Sequence, residues 1–328
     1  MQKHLKYLAL PALVAGVLIF WKLGSIPNHL QNDEALAGIV AKKVTTIPFN
    51  PLKSYPDGDF PNWLDYVQHL SFSLLGTNLF SIRLHAALSS FLSVIVFYFF
   101  ALSLLSFPPR CHSRESGNPR DKLRLESRGW AALATLVFAT NRLFLTFARV
   151  GHATALQLLF TLLAYTFFLY SLETLHATSL QGTDQAQEHT TQKRRLLGKR
   201  KYIFSALAGI CLGIEIHTYT SGLLIPFVIG LSFLAWFFVE TLHEASLQKN
   251  KKDTNPFRII KRLFTERLFP FLILVLCSIL AGLPRILMFF APVNHALARV
   301  NEVSIFNEGL DRNTLIWAFE ENIKKIIK

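Results

Sequence analysis

Long apolar runs recur along the chain and are separated by polar or charged segments. Five runs contain no Asp, Glu, Lys or Arg: Leu8–Trp21, Leu84–Phe107, Ala153–Leu172, Ser221–Val239 and Leu268–Pro284. Two shorter runs, Gly129–Thr140 and Tyr202–Ile214, reach a similar length when they are extended over a polar residue or two. Because a membrane-spanning helix needs about 20 mainly apolar residues, this pattern predicts repeated crossings of a bilayer.

The predicted fold is therefore an all-α membrane protein, a multi-pass bundle of about seven transmembrane helices within residues 1–292. The spans are expected near residues 7–24, 84–107, 129–148, 153–172, 202–218, 221–241 and 268–290. Composition agrees, since 51% of the 328 residues are hydrophobic and only 17% are charged, too few for the surface of a soluble domain of this length. No A-x-A-like cleavage site follows the first run, so we interpret it as a retained first helix rather than a signal peptide.

The distribution of basic residues predicts the orientation. With a cytoplasmic N-terminus, the inner segments 1–6, 108–128, 173–201 and 242–267 hold 21 of the 34 Lys and Arg residues. The outer loop 25–65 holds three lysines and five acids. This is the positive-inside asymmetry, so the net charge of +13 is a topology signal and nucleic-acid binding is not expected. We therefore predict an N-terminus on the cytoplasmic side of the membrane and a C-terminus on the outer side.

Three segments outside the spans have features of their own. The first outer loop, 25–82, contains "LDYVQHLSFSLLG", whose apolar spacing predicts an interfacial helix. The outer C-terminal segment, 293–328, ends in the amphipathic "TLIWAFEENIKKIIK". The cytoplasmic loop 108–128 contains "CHSRESGNP", for which one choice of codons forms a perfect hairpin. It is either a translated repeat inserted in the gene, tolerated because such loops accept insertions, or an ordinary basic loop.

An acidic pair, Asp33 and Glu34, follows the first predicted helix in "NDEALAG". Near a low-dielectric boundary a carboxylate has a raised pKa and can serve as a general base, provided that a cation keeps it ionised. The pair is equally explained as the acidic first turn of a helix, with Asn32 or Asp33 as the cap. Spacing alone leaves both readings open.

Five strings, taken in order, resemble a known superfamily. They are "LGSIPNHLQNDEALAG", "LLGTNLFSIRLHAALSSFLSVIVFYFFALSLL", "FARVGHATALQLLFTLLAYTFFLYSL", "LAGICLGIEIHTYTSGLLIPFVIGL" and "GLPRILMFFAPVNHALARVNEVSIF". Over nearly the whole chain they are similar to GT-C glycosyltransferases that use polyprenyl-phosphate sugars, the branch of protein O-mannosyltransferases, aminoarabinose transferases and galacturonosyltransferase-like enzymes. The resemblance implies transfer of a sugar from a polyprenyl-phosphate donor to a lipid, glycan or protein acceptor on the outer side.

The resemblance also implies roles for individual residues. Asp33 would be the general base and Glu34 its support. The donor phosphate would be held by Arg83, Arg149 and Arg299, and the pocket would include His152, Glu215 and Tyr219. Because His152 stands where the family often has an acid, no metal is expected, and no cofactor besides the lipid-linked substrate.

Each of these residues also has a structural explanation. Arg83 is equally suited to snorkelling toward lipid phosphates, and Tyr219 to an interfacial aromatic position. A lone histidine is more often structural than functional, and Glu215 near a span's outer end is either turned to the protein interior or solvated.

Two other functions compete with the enzyme reading. Family members continue beyond the last matching string, so one expectation is an inactive, C-terminally truncated fragment. The other is a transporter or flippase, for which ionisable residues near mid-membrane and inverted repeats would be typical. No convincing repeat is present, and the clearest acids lie outside the predicted spans.

Overall fold

A computed structural model of the chain describes residues 2–44, 62–106, 119–180, 189–218, 224–235 and 268–288. Over these ranges the chain forms ten helices and no strand, so the predicted all-α fold is confirmed there. The helices are α1 (Gln2–Phe20), α2 (Asn32–Lys43), α3 (Asn62–Leu75), α4 (Leu79–Ser106), α5 (Pro119–Thr140), α6 (Arg142–Arg149), α7 (Thr154–Leu180), α8 (His189–Ile216), α9 (Ile225–Ala235) and α10 (Phe269–Met288).

Helix α4 is the centre of the first half of the fold. It packs against α1, α3, α5, α6 and α7. Its start is fixed by Asn78, whose side chain accepts from the Ser81 backbone N–H at 2.9 Å while the Ser81 hydroxyl accepts from the Asn78 N–H at 3.1 Å. This reciprocal cap satisfies two donors that a helix N-terminus would otherwise leave unpaired. It places Arg83 about one turn inside α4.

The expected span 129–148 is divided in two. Helix α5 ends at Thr140, α6 begins at Arg142, and the two axes meet at an angle of 59°. Asn141 causes the break, since its side chain caps α6 by accepting from the Phe144 N–H at 3.1 Å. Helix α5 also begins at Pro119, within the predicted cytoplasmic loop 108–128, whose residues 108–118 lie outside the described ranges.

Helices α7, α8, α9 and α10 build the second half. Gly209 and Gly213 bring α8 very close to α10: a Cβ on Gly209 would lie 2.2 Å from the Leu274 carbonyl oxygen, and one on Gly213 would lie 2.4 Å from the Cβ of Ala281. Two glycines four residues apart allow helix backbones to approach in this way. Helix α9 joins the same apolar cluster, where the rings of Phe233 and Phe271 stack at 3.9 Å.

Length and composition indicate a membrane protein. Leu79–Leu105 and Thr154–Leu172 are each long and apolar enough to cross a bilayer, and α5 with α6 makes a third candidate if the bent pair is one span. The described parts of α1, α9 and α10 are shorter apolar helices. Large apolar side chains point outward on them, with Leu13 66% and Phe227 72% exposed, as a lipid-facing surface requires.

Candidate functional site

Arg83 and Glu34 form a buried ion pair between α4 and α2. The Arg83 Nε donates to Glu34 Oε1 at 2.7 Å, and Nη2 is 3.4 Å from Oε2. Both side chains are completely buried. A buried pair of charges is stable only when the remaining donors and acceptors are satisfied as well, and both residues meet this condition.

The other donors of Arg83 bind the backbone of the segment that follows α1. Nη1 donates to the carbonyl oxygens of Leu23 at 3.1 Å and Pro27 at 2.8 Å, and Nη2 donates to that of His29 at 3.0 Å. All five N–H groups of the guanidinium are thus directed at protein acceptors. In this arrangement Arg83 positions the segment between α1 and α2. Its predicted role as a phosphate ligand stays a prediction, which this geometry does not favour.

Glu34 connects three parts of the chain. Besides Arg83, it accepts from the Gly151 backbone N–H at 3.2 Å and from the Gln31 N–H, at the start of its own helix, at 3.3 Å. Residue 151 must be small, because a Cβ there would lie 2.9 Å from the carbonyl oxygen of Ile82 and 3.3 Å from Glu34 Cγ. Glu34 therefore ties α2 to α4 and to the turn before α7.

Asp33 lies in the first turn of α2, directly before Glu34. The structure describes its backbone and not its side chain. The contacts of Glu34 therefore fix the position of Asp33 along α2, while its predicted role as general base stays a prediction.

Arg149, the last residue of α6, holds the end of α1 and the segment that follows it from a second direction. Nη1 donates to the Leu18 carbonyl at 2.6 Å, and Nη2 donates to those of Trp21 at 2.7 Å and Ile26 at 3.0 Å. A cation at the last carbonyls of α1 is favourable because the helix dipole is negative there. The Nε–H and one Nη1–H have no acceptor within the described ranges, which leaves Arg149 two donors for an anion.

His152 caps α7. Its Nδ1 accepts from the Thr154 backbone N–H at 3.2 Å and lies 3.1 Å from the Thr154 hydroxyl. The proton of a neutral ring is thereby assigned to Nε2. The sequence prediction placed His152 in the pocket; the structure places it next to Gly151, and so beside the Glu34 contacts.

Glu215 is close to the C-terminal end of α8, near the same end of the bundle, and its side chain lies between α7 and α8. Its carboxylate is completely buried and accepts from the Thr161 hydroxyl. Neighbouring His217 reaches the Ala281 carbonyl of α10 through Nε2 at 3.2 Å. Glu215 thus faces the protein interior, and it contacts α7 rather than the Arg83–Glu34 pair.

Sequence reasoning missed two participants, Gly151 and His85, and two predicted residues cannot be placed. Gly151 supplies an N–H to Glu34, and the buried ring of His85 lies close enough to Glu34 to interact with its charge. Neither "VGH" nor "RLH" carries a signal of such a contact. Arg299 and Tyr219 lie outside the described residues, as do the predicted C-terminal amphipathic helix and most of the predicted insert.

An open apolar groove of about 750 Å³ lies beside this end of the bundle, between α1 and α4. Its walls include Gly16, Phe20, Trp21 and Phe91. The groove ends at Trp21, whose carbonyl oxygen binds Arg149. An apolar surface thus leads to a cation, two of whose donors have no acceptor among the described residues.

The candidate site is therefore the segment between α1 and α2, held by two arginines, with an acid pair at the start of α2 and an apolar groove beside it. In comparisons with known proteins, no family model and no curated protein matches this chain.

Proposed function

We propose that the chain is a multi-pass membrane glycosyltransferase of about seven spans. It moves a sugar from a polyprenyl-phosphate donor to an acceptor hydroxyl on the outer face of the bacterial inner membrane. The observation that carries the proposal is the Glu34–Arg83–Gly151 contact, which anchors the first turn of α2 at the end of the bundle where α4 and α7 begin. The predicted base, Asp33, belongs to that turn. Catalytic groups need such rigid support.

The proposed reaction is a displacement at the anomeric carbon. The acceptor oxygen forms a bond to this carbon, the bond from carbon to the phosphate oxygen breaks, and polyprenyl phosphate leaves with the electron pair. Asp33 takes the proton of the acceptor hydroxyl, a step worth about 10²–10⁴ in rate. Glu34 is not this base, because its oxygens already accept from Arg83, Gly151 and Gln31.

Arg149 is our candidate for the phosphate contact. Two of its N–H groups have no acceptor in the described part of the chain, whereas all five of those of Arg83 are donated within it. A guanidinium near the leaving phosphate stabilises the charge that builds up there. The groove between α1 and α4 offers an apolar surface for the isoprenoid chain of the donor, directly below this cation.

The test uses membranes that contain the full chain and a panel of radiolabelled polyprenyl-phosphate sugars. Label transfer to an endogenous or added acceptor is expected from the wild-type chain and not from Asp33→Asn. Asp33→Glu is the matched control, since it keeps a carboxylate at the position and should retain part of the activity. Transfer that is equal in wild type and Asp33→Asn would refute Asp33 as the base.

Two alternatives are separated by the same assay. A truncated, inactive fragment would insert into membranes and transfer no label from any donor. A transporter or flippase is favoured by one observation, the completely buried carboxylate of Glu215 inside a helix of the bundle. It would move a lipid-linked sugar across vesicles without forming a glycosidic product, and it would lose that activity in Glu215→Gln.

A further inference from the structure

Two polar side chains of α3 are directed inward, where an interfacial helix would be expected to bury apolar groups. Asp65 and Gln68 are three residues apart and therefore on the same face of the helix. Their exposed fractions are 2% and 1%. The same side of α3 contacts α2 through His69, whose Nδ1 lies 2.9 Å from the Ala41 carbonyl oxygen.

Neither of these side chains is fully satisfied. Asp65 Oδ2 and Gln68 Nε2 are both buried and have no hydrogen-bond partner in the part of the chain that the structure describes. Leaving a buried acceptor or donor unpaired costs free energy, and buried polar atoms in native proteins are rarely left so. Two such atoms one turn apart indicate a ligand rather than a packing defect.

The chemistry of the two atoms narrows the ligand class. A cation or an ammonium group would satisfy the carboxyl group, yet it has nothing to accept from the Gln68 amide. A phosphate would accept from Gln68 and be repelled by Asp65. A hydroxyl group both accepts and donates, so among these ligand groups it is the one that satisfies both atoms. Burial also raises the pKa of Asp65 to about 7, which suits an uncharged ligand.

We propose that Asp65 and Gln68 form a hydroxyl-binding subsite for a sugar on the inner face of α3. Gln68 Nε2 donates to the sugar hydroxyl oxygen, and that hydroxyl donates to Asp65 Oδ2. The subsite rests on the proposed glycosyl transfer for the identity of the sugar. That sugar belongs either to the lipid-linked donor or to a glycan acceptor, which offer the same hydroxyl chemistry.

The test is direct binding to the full chain in lipid nanodiscs, without any need for turnover. Three probes are used: a polyprenyl phosphate carrying a neutral hexose, the same polyprenyl phosphate without sugar, and a free hexose oligosaccharide. The variants are Gln68→Met, which keeps the length of the side chain and removes its N–H groups, and Asp65→Leu. Ser71→Ala is the control on the same helix, because its hydroxyl bonds only to the Val67 carbonyl among the described contacts.

We expect Gln68→Met and Asp65→Leu to weaken binding of one sugar probe by about tenfold or more and to leave the bare lipid unaffected. Weaker binding of the hexose lipid would assign the hydroxyl to the donor, and weaker binding of the oligosaccharide would assign it to the acceptor. Because Gln68→Met removes an unpaired donor, it should unfold no earlier than wild type, so weaker binding is not misfolding.

Two results would overturn the subsite. One is wild-type binding of the hexose lipid no tighter than of the bare lipid, together with no binding of the oligosaccharide. The other is unchanged sugar binding in both variants with raised unfolding temperatures, as expected if a trapped water bridges the pair. Failure of the glycosyl-transfer proposal gives a different result. The wild-type chain would then transfer no label, so Asp33→Asn would remove nothing, while the differences in sugar binding between wild type and the two variants would persist.

Discussion

Arg83 and Glu34 are 49 residues apart in sequence, yet they form an ion pair with an Nε–Oε1 distance of 2.7 Å, and both side chains are fully buried. The acid that sequence reasoning assigned to catalysis is thus the counter-ion of an arginine that it assigned to phosphate binding. This contact orders the start of α2 and the segment after α1 together. The position of both elements thus depends on one internal charge pair.

Breaking this ion pair should unfold the protein. Glu34→Gln leaves Arg83 as an uncompensated buried charge, a change that typically costs about 3–5 kcal/mol. Arg83→Lys should cost a similar amount, because an ammonium group has three donors in place of five. Thermal unfolding in detergent measures both, with Arg142→Lys at an exposed site as the control. Unfolding temperatures equal to that of the control would contradict the structural role.

The contact between α8 and α10 should not tolerate a methyl group at Gly213. A Cβ there would lie 2.4 Å from Ala281 Cβ and 2.7 Å from the Ser278 carbonyl oxygen. We expect Gly213→Ala to destabilise the fold by about 1–3 kcal/mol. Gly230→Ala is a matched control, since nothing lies within 4 Å of its new Cβ and alanine favours a helix by up to about 1 kcal/mol. Equal stability of the two variants would show that the helices separate easily.

Stability should fall as the pH rises, because of Asp65. Burial raises its pKa from 3.8 to about 7. Between these values the folded protein keeps a proton that the unfolded chain releases, so stability present at pH 4 is lost by pH 7, up to about 4 kcal/mol. Asp65→Asn removes this titration, so the stability of the variant relative to wild type should rise between pH 5 and 8.

The measurement for this prediction is thermal unfolding of wild type and Asp65→Asn at pH 4 and at pH 7. Glu126→Gln, at an exposed acid of α5, serves as its control and should follow wild type. A difference between wild type and Asp65→Asn that is independent of pH would show that Asp65 is ionised throughout.

The groove between α1 and α4 should control donor binding. Gly16 lines it, and a Cβ at this position would lie 3.6 Å from Phe91 Cε2. Gly16→Leu fills the groove, so we expect KM for a long-chain polyprenyl donor to rise about tenfold, since lost burial of a few methylenes is worth this much. KM for a donor with a two-isoprene tail should not change.

Gly129→Leu is the control for this substitution. It adds the same side chain to α5 at a site with no neighbour within 4 Å, and it should affect neither donor. If Gly16→Leu raised KM for both donors alike, the groove would not be the site of the isoprenoid chain.

The sequence predicted well those helices whose apolar runs are long and uninterrupted. The runs 84–107 and 153–172 correspond to α4 and α7, because a run of twenty or more apolar residues is long enough to form one continuous membrane-spanning helix. The predicted span 129–148 forms two helices instead of one. The polar side chain of Asn141 caps the start of α6, so α5 ends before it. Local hydrogen bonding there outweighs hydropathy.

The site was harder to predict, for a different physical reason. "NDEALAG" marked the acid pair, yet nothing near Glu34 in sequence states that its partner is Arg83 or that Gly151 supplies an N–H. Such contacts come from helix packing over long separations. The resemblance to glycosyltransferases directed attention to Glu34 and Arg83, and the structure shows that each is the other's partner.

Among the described contacts, Arg83 and Arg149 bind the segment between α1 and α2 only through its main chain. Every described bond that Arg83 and Arg149 make to the stretch from the end of α1 to His29 ends on a peptide carbonyl oxygen: those of Leu18, Trp21, Leu23, Ile26, Pro27 and His29. Carbonyls are common to all residue types. Exchange of side chains along this stretch should therefore leave these six bonds in place, and with them the path of the backbone between α1 and α2.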